Sequence, residues 1–384
     1  MTLVVNPYEI LSAWRAAGRP ATLGSHVRGQ LDRLCRVTGV ADPERRYADS
    51  LTDLLGTSAD RPLGAPPAWP SFVSDDHTPA EFSVTVPRGG PPSVRVLTEP
   101  GCGAATLAGN SRSGWAALRR LAGRWEFSLE PLRRVETLFF PAAPQGAFAL
   151  WCAMELRAHE GPGFKAYVNP GAHGPGPAAE VIDEAMARFG YARAWAAVRA
   201  HVAARRPDDD RFAFVGVDLG SWAAPRVKVY VAHHRFDLDG VRRVAGLYGG
   251  GCPEQVVRFS RVAGATNRFD GRPLLSCLSF NGGPDTCGPT GYTLHLPVRD
   301  YVGDDACARD RAASVLRDQG LPTALLDRAL GAVSRRRPAD GVGLISYLSL
   351  VQAAGHPPRV TAYLSSEAYR VGAPRTQRPR PEKS

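Results

Sequence analysis

The chain has 384 residues, with 47 Lys+Arg against 37 Asp+Glu (a formal net charge of +10) and 44% hydrophobic residues. This composition excludes a small disulfide scaffold and a collagen-like chain, and the length allows one large domain or two of average size. The seven Cys include no CxxC pair, so neither a disulfide framework nor a zinc site is expected. Because the first residues carry no basic segment before an apolar run, and no window approaches the roughly 18 apolar residues of a membrane span, we expect a cytoplasmic protein.

Helical periodicity marks several parts of the chain. Residues 7–18, 25–39 and 44–56 predict N-terminal helices, and the Ala-rich run 178–206 predicts another. The run 306–336 is also helical in pattern, with a break at Gly320 and Pro322. Residues 369–384 are rich in Pro and Arg without apolar periodicity, so we expect a disordered tail after a single domain of residues 1–368.

Two of the three lysines of the chain stand in matching sequence contexts. An acid, a lysine and a tyrosine each recur at a spacing of 63 residues: Glu155 with Asp218, Lys165 with Lys228, and Tyr167 with Tyr230. A constant spacing of three residue types indicates an internal repeat. A lysine at a solvated strand edge is the alternative for either position taken alone.

The repeated unit has the pattern of a β-hairpin. Three further segments, 81–100, 277–298 and 344–366, also contain two extended runs joined by a short connection rich in Gly or Pro. With the two lysine-containing units they make five hairpins, or ten strands. Helical segments follow most of them, so we expect one face of the sheet to pack against helices.

Polar and apolar residues alternate along the second strand of each hairpin. Arg226, Lys228 and Tyr230 share one face, and valines occupy the other. The same alternation places the following residues on the polar face: Arg95, Lys165, Tyr167, Thr293, His295, Arg359, Thr361 and Tyr363. Ten strands can close into a barrel with a polar lumen, or form an open sheet with one solvated face.

Cations and aromatic rings on one wall suit a particular chemistry. Converging Arg and Lys side chains, without a carboxylate cluster suited to a metal, favour an anion with several oxygens, such as diphosphate. Tyr and His rings stabilise a nearby cation by about 0.5–2 kcal/mol each. Together they suit the ionisation of an allylic diphosphate.

Five short motifs carry a family resemblance: EFS (81–83) with Arg95, KAY (165–167), RVKVY (226–230), TLHLP (293–297) and RVTAY (359–363). Over residues 5–368 the chain resembles the dimethylallyltryptophan synthase family of aromatic prenyltransferases, specifically its bacterial indole-modifying branch. The resemblance implies an α+β fold, the ABBA barrel, in which ten antiparallel strands from five hairpins enclose a lumen within a ring of helices. It also implies that no metal is obligatory and that Mg²⁺ is at most stimulatory.

The resemblance also implies roles for individual residues. Glu81 matches the acid that accepts the indole N–H. The diphosphate-binding cations are matched by Arg95, Lys165, Arg226, Lys228 and Arg359, and the tyrosines that screen the carbocation by Tyr167, Tyr230 and Tyr363. The family's Gln-x-Tyr pair is replaced by Thr293 and His295, which weakens one diphosphate contact and turns one ring into an imidazole. No lysine precedes Lys165 where fungal enzymes place a base, so Glu81 and His295 are the candidates for the proton acceptor.

The function that follows is transfer of a dimethylallyl group from dimethylallyl diphosphate to the indole of L-tryptophan, with C-6 as the expected ring position, in secondary metabolism. Indole-containing peptides or indolactams are alternative acceptors, and a C10 donor is an alternative to the C5 donor. A non-catalytic small-molecule carrier is a further alternative. A nucleic-acid-binding module would place Arg on an outer surface. We expect no nucleic-acid or membrane partner, and a monomer or homodimer.

Overall fold

The computed structural model describes residues 21–174, 176–203, 209–221 and 224–375. Within these residues ten antiparallel strands form a closed barrel in which each strand pairs with its neighbours in sequence and the last pairs with the first. The strands are β1 (Ala80–Pro87), β2 (Ser93–Thr98), β3 (Leu150–Arg157), β4 (Gly163–Val168), β5 (Asp210–Leu219), β6 (Val227–His233), β7 (Leu274–Phe280), β8 (Gly291–Leu296), β9 (Ile345–Ala353) and β10 (His356–Ser365). The expected barrel of five hairpins is confirmed, and the open sheet is excluded.

Helices surround this barrel. In the described ranges they are α1 (Leu23–Thr38), α2 (Arg46–Leu55), α3 (Leu107–Trp125), α4 (Glu130–Arg133), α5 (Glu136–Phe139), α6 (Ala178–Arg188), α7 (Ala192–Ala203), α8 (Leu238–Ala245), α9 (Pro253–Gly264), α10 (Asp305–Asp318) and α11 (Ala324–Val333). Single 3₁₀ turns lie at Pro43–Arg45, Gly56–Asp60, Val298–Tyr301 and Pro338–Asp340, and Phe236–Asp237 pairs with Arg268–Phe269 in a small separate sheet. Of the helices described, none has the length and apolar character needed to cross a bilayer.

The ends of the helices follow from local sequence. Thr22 and Ser25 form a capping box that starts α1, and Gly39, with a φ of 74°, ends it. Helices α1 and α2 agree with the predictions for 25–39 and 44–56, whereas the predicted helix 7–18 lies outside the described residues. The predicted break at Gly320 and Pro322 separates α10 from α11.

The prediction of one helix over 178–206 is wrong. Two helices, α6 and α7, occupy this segment as far as Ala203, and they are separated at Gly190, which has a φ of 81°. Gly190 adopts the left-handed conformation, which other residue types adopt less readily, and this conformation ends the helix. The turn buries Tyr191, whose hydroxyl donates a 3.0 Å hydrogen bond to the carbonyl of Pro225 ahead of β6.

The two faces of the barrel wall have different surroundings. Outward-facing residues such as Phe82, Val94 and Val229 are fully buried in one apolar core with the inner faces of the helices. A second, smaller cluster lies inside the barrel and includes Trp151, Tyr167, Tyr230 and Cys277. The period-two pattern of the strands therefore separates a helix-packed face from a lumen face.

The prediction of a disordered tail from residue 369 needs correction for its first residues. Residues 369–375 contact the domain: Tyr369 N–H donates to Asp76, and Gly372 bridges to Val342. The rest of the tail lies outside the described residues. Asp210 begins β5 and is buried, with its carboxylate 2.8 Å from Nδ1 of His233.

Candidate active site

The barrel encloses a cavity of about 260 Å³. The lumen-facing side chains of the strands line it, and ten of the eleven residues singled out from the sequence are among them: Glu81, Arg95, Tyr167, Arg226, Lys228, Tyr230, Thr293, His295, Arg359 and Tyr363. Lys165 is the exception. It is buried beside the cavity and its ammonium lies 3.1 Å from Asp218.

The cations at one part of the lumen are paired with two carboxylates. Glu155 bonds to Arg95 at 3.0 Å and to Arg157 at 2.6 Å. Asp218 bonds to Lys165 at 3.1 Å and to Arg226 at 2.7 Å. The acid that recurs in the sequence repeat is therefore the counter-ion of these cations. This role was not predicted from the sequence. Arg157, a further cation of the lumen wall, was also missed.

Lys228 and Arg359 differ from the other cations because neither forms a salt bridge with a carboxylate of the described ranges. Burial, together with the positive charges of Lys165, Arg226 and Arg95, lowers the pKa of Lys228 to about 7. Burial also lowers the pKa of Arg359. A lumen that holds an uncompensated positive charge has a strong attraction for an anion.

A continuous belt of aromatic rings lies next to the cations. The His295 ring centroid lies 5.7 Å from that of Tyr230 and 5.6 Å from that of Tyr363. Phe214 lies 4.2 Å from Tyr230 and 5.7 Å from Tyr167, and Trp151 and Tyr347 continue the belt at its two ends. The presence of Phe214, Trp151 and Tyr347 in the lumen was not predicted from the sequence.

All three rings lie in the first strands of their hairpins, and strand irregularities lie next to two of them. In β5, Phe212 is opposite Val231 and Phe214 is opposite Tyr230, so one extra residue separates them. This bulge turns Phe212 outward against Trp195 of α7 and Phe214 inward. A similar shift in β9 lies between Ile345 and Tyr347 and turns Tyr347 into the lumen.

Space inside the lumen depends on small residues between the large ones. Gly216 of β5 lies opposite Tyr167 of β4. A Cβ at position 216 would lie 3.2 Å from Cε1 of Tyr167, closer than an ordinary van der Waals contact. Glycine at this position therefore lets the Tyr167 ring lie against the barrel wall.

Glu81 is a buried carboxyl with a single hydrogen-bond partner among the described residues. The bulge of β9 brings Ser346 next to it, and the Ser346 hydroxyl donates a 2.6 Å hydrogen bond to Oε1. Burial raises the pKa of Glu81 to about 8, although the serine hydrogen bond opposes the shift. Glu81 is therefore mostly protonated at neutral pH in the ligand-free barrel.

His295 has a defined tautomer. Its Nδ1 lies 3.2 Å from the carbonyl oxygen of Leu275, which only accepts, so Nδ1 carries the proton and Nε2 presents a lone pair. Burial lowers the pKa of His295 to about 3, so the ring is neutral. A neutral imidazole within the aromatic belt presents a π-face to a cation without adding a charge.

His233 and the lumen carboxylates Glu155 and Asp218 are all bonded to protein side chains. His233, one of two adjacent histidines, is bonded to Asp210 and stacks on Phe236 at 4.4 Å. In the parts of the chain that the structure describes, no group of three or more His, Cys, Asp or Glu side chains is arranged to hold a metal ion. Glu155 and Asp218 are each bonded to two cations instead.

Comparison with known proteins identifies the family. The model of the tryptophan dimethylallyltransferase family matches residues 45–258, more than half of the chain. The chain belongs to this family. Among solved structures, the prenyltransferase PriB in a ternary complex with L-tryptophan and dimethylallyl thiolodiphosphate is 49% identical over 94% of this chain and 100% of that one, with a TM-score of 0.87.

Two other members of the family are similar over nearly the whole chain. The 5-dimethylallyltryptophan synthase from Streptomyces coelicolor is 45% identical over 92% of this chain and 100% of that one, with a TM-score of 0.85. The 6-dimethylallyltryptophan synthase from Micromonospora olivasterospora, solved with DMASPP and Trp, is 40% identical over 92% and 100%, with a TM-score of 0.87. The protein is thus a prenyltransferase with the ABBA barrel.

Proposed function

We propose that this prenyltransferase moves the dimethylallyl group of dimethylallyl diphosphate to C-6 of the indole of L-tryptophan and releases diphosphate. The observation that carries the proposal is that cations and aromatic rings line one enclosed cavity: Lys228 and Tyr230, two residues apart on β6, both face it. A cation and an aromatic ring side by side on one strand support the binding of an allylic diphosphate at this wall.

In this proposal the diphosphate lies against Arg95, Lys165, Arg226, Lys228 and Arg359, with Thr293 at the edge of the same wall. Lys228 and Arg359 bring positive charge that no described carboxylate compensates. Binding of a multiply charged anion stabilises the protonated form of Lys228, because opposite charges favour ionisation. The leaving group is then held by fixed positive charge as the C–O bond breaks.

The allyl cation forms within the aromatic belt. Tyr167, Tyr230 and Tyr363 present their rings, and the neutral His295 ring bridges the last two. These rings stabilise the cation by their π-faces and restrict the access of water, which would otherwise capture it. Phe214, which lies 4.2 Å from Tyr230, extends the same screen.

The indole N–H is oriented by Glu81, and the electron-rich ring attacks the cation. A carbon–carbon bond forms, and the ring carbon then loses its proton to restore aromaticity. Nε2 of His295 and, in its ionised form, the carboxylate of Glu81 are the proposed acceptors of that proton. Support for tryptophan as the acceptor comes from the PriB and S. coelicolor relatives, which are described in complexes with it.

The proposal also specifies C-6 as the ring carbon that receives the prenyl group. C-6 is supported by the similarity to 6-dimethylallyltryptophan synthase, whereas the S. coelicolor relative is a 5-dimethylallyltryptophan synthase. Substituents at neighbouring ring carbons differ by little in position. The side chains that orient the indole, rather than overall identity, therefore decide between the two.

A direct assay tests the proposal. The full chain is incubated with dimethylallyl diphosphate and L-tryptophan in the presence of a chelator, and the product is identified by mass spectrometry and NMR. We expect a gain of one prenyl unit at C-6, with Mg²⁺ adding at most a modest stimulation. A product at C-5 would contradict the ring position, and no product with tryptophan, indole peptides or a C10 donor would favour the carrier.

A further inference from the structure

Two half-buried carboxylates, each with 16% of its side chain exposed, lie among the cations of the lumen, and no step of the proposed reaction uses them. These are Glu155 on β3 and Asp218 on β5, which are 63 residues apart and occupy equivalent positions of two repeated hairpins. Each bridges two cations: Glu155 bridges Arg95 and Arg157, and Asp218 bridges Lys165 and Arg226.

Strand register creates these bridges. Arg95 of β2 lies directly opposite Glu155 of β3, and Lys165 of β4 lies directly opposite Asp218 of β5. Side chains of directly opposed residues are close enough to interact in a sheet. The pairs are therefore part of the barrel wall.

Both carboxylates stay ionised. Although burial by itself would raise the pKa of Glu155, the neighbouring Arg95, Lys165 and Arg157 hold it well below its usual range. Asp218 is likewise lowered, because Lys165 and Arg226 outweigh its burial. Two negative charges therefore face six cations: Arg95, Arg157, Lys165, Arg226, Lys228 and Arg359.

We propose that Glu155 and Asp218 are positioning residues that hold the cations of the diphosphate site in place while it is empty and weaken its hold on diphosphate after prenyl transfer. The inference rests on the proposed function, because it takes the cation-lined wall as the diphosphate site. A buried cation without a partner is costly, so the carboxylates stabilise the empty site. They also repel the product anion, which favours its release.

Neutral, isosteric substitutions separate this role from a structural one. In wild type each carboxylate uses one oxygen for each of its two cations. In Glu155→Gln and Asp218→Asn the amide oxygen accepts from one cation only, the amide nitrogen faces the other, and the negative charge is gone. We expect each variant to bind inorganic diphosphate more tightly, by about tenfold, because repulsion is removed and the cations then lack a partner until the anion binds. Product inhibition should become stronger and kcat should fall, while KM for dimethylallyl diphosphate should not rise.

The experiment is calorimetric titration of the full chain with inorganic diphosphate, in the wild type and in the variants. Glu160→Gln is the matched control. Glu160 also pairs with Arg157, at 3.2 Å, but its side chain is 58% exposed, so its removal should change the Kd less than about twofold. Glu155→Asp, which keeps the charge, should retain most of the wild-type affinity.

Each outcome decides the matter. Tighter binding in Glu155→Gln or Asp218→Asn, with Glu160→Gln unchanged, supports the proposal. Unchanged or weaker binding in folded variants overturns it, and failure of both variants to fold assigns the carboxylates to stability alone. If the wild type itself binds no diphosphate, the proposed function fails as well, which distinguishes that result from a failure of this inference only.

Discussion

The hydroxyl of Ser346 donates a 2.6 Å hydrogen bond to the carboxyl of Glu81, although the two residues are 265 positions apart in the chain. The bond joins β9 to β1 across β10, which lies between them in the barrel. Glu81 is buried, and its burial raises its pKa to about 8 although the hydrogen bond from Ser346 opposes the shift. Stability and activity should therefore both depend on pH through this residue.

Glu81 should make the protein less stable as pH rises. In the unfolded chain the carboxyl loses its proton near its ordinary pKa of 4.5, whereas in the folded protein it keeps the proton up to about pH 8. The unfolded state therefore binds fewer protons in this window, and the free energy of unfolding falls with pH, by roughly a few kcal/mol in total. Denaturant unfolding from pH 5 to 8 measures this effect. The free energy of unfolding of the wild type should fall relative to that of Glu81→Gln as pH rises. Parallel pH dependences would contradict the assignment.

Ser346→Ala should move the pH dependence of activity. The serine hydrogen bond lowers the pKa of Glu81, so its removal should raise that pKa further. If the ionised carboxylate accepts the indole N–H, kcat/KM should rise with a midpoint near pH 8 in the wild type and at higher pH in the variant. Ser83→Ala, which removes a lumen serine of β1, is the control and should leave the profile in place.

Lys228→Ala and Lys165→Ala should each lower kcat/KM by about 10²-fold or more without loss of the fold, because a fixed cation near the leaving group is removed. They should differ in stability. Lys165→Ala leaves Asp218 with only Arg226 as a close cation, whereas Lys228 has no described carboxylate partner. Thermal unfolding should therefore show a lower Tm for Lys165→Ala only. Near-normal turnover in both variants would contradict the diphosphate assignment.

For kcat, an aromatic ring at position 295 should matter more than the basicity of that side chain. His295→Phe keeps a π-face beside Tyr230 and Tyr363, and His295→Leu removes it. If His295 chiefly screens the carbocation, the leucine variant should lose roughly three- to thirtyfold in kcat relative to the phenylalanine variant. Equal losses in both variants would instead indicate that Nε2 takes the proton. Steady-state kinetics with a solvent-capture assay for released prenyl alcohol measures both effects.

Much of the candidate site was predictable because strand side chains alternate with a fixed period of two. Lys228 and Tyr230 share a face in any β-strand, and a spacing of 63 residues relates them to Lys165 and Tyr167. The same alternation separates the valines that pack against the helices. This information is local, so it is present in the sequence pattern before the chain folds.

Phe214 and Tyr347 were not predicted because they lie in the first strands of their hairpins, whereas the alternation was applied to the second strands, and the period of two is also broken next to each of them. One extra residue in β5 separates Phe212, which packs outward on Trp195, from Phe214 in the lumen. Nothing in the residue types marks a bulge there. Packing against a helix on one side and the lumen on the other decides where the strand accommodates it.

The five hairpins, the two faces of the wall and most of the cations and rings on its polar face could be read from the sequence, because each depends on residues a few positions apart. Closure of the sheet, the contact of Ser346 with Glu81, and the partial neutralisation of the cation cluster by Glu155 and Asp218 became visible only in the folded barrel. Those relationships depend on strand register and on contacts between distant segments. Long-range geometry of this kind arises from packing of the whole barrel and has no counterpart in local periodicity.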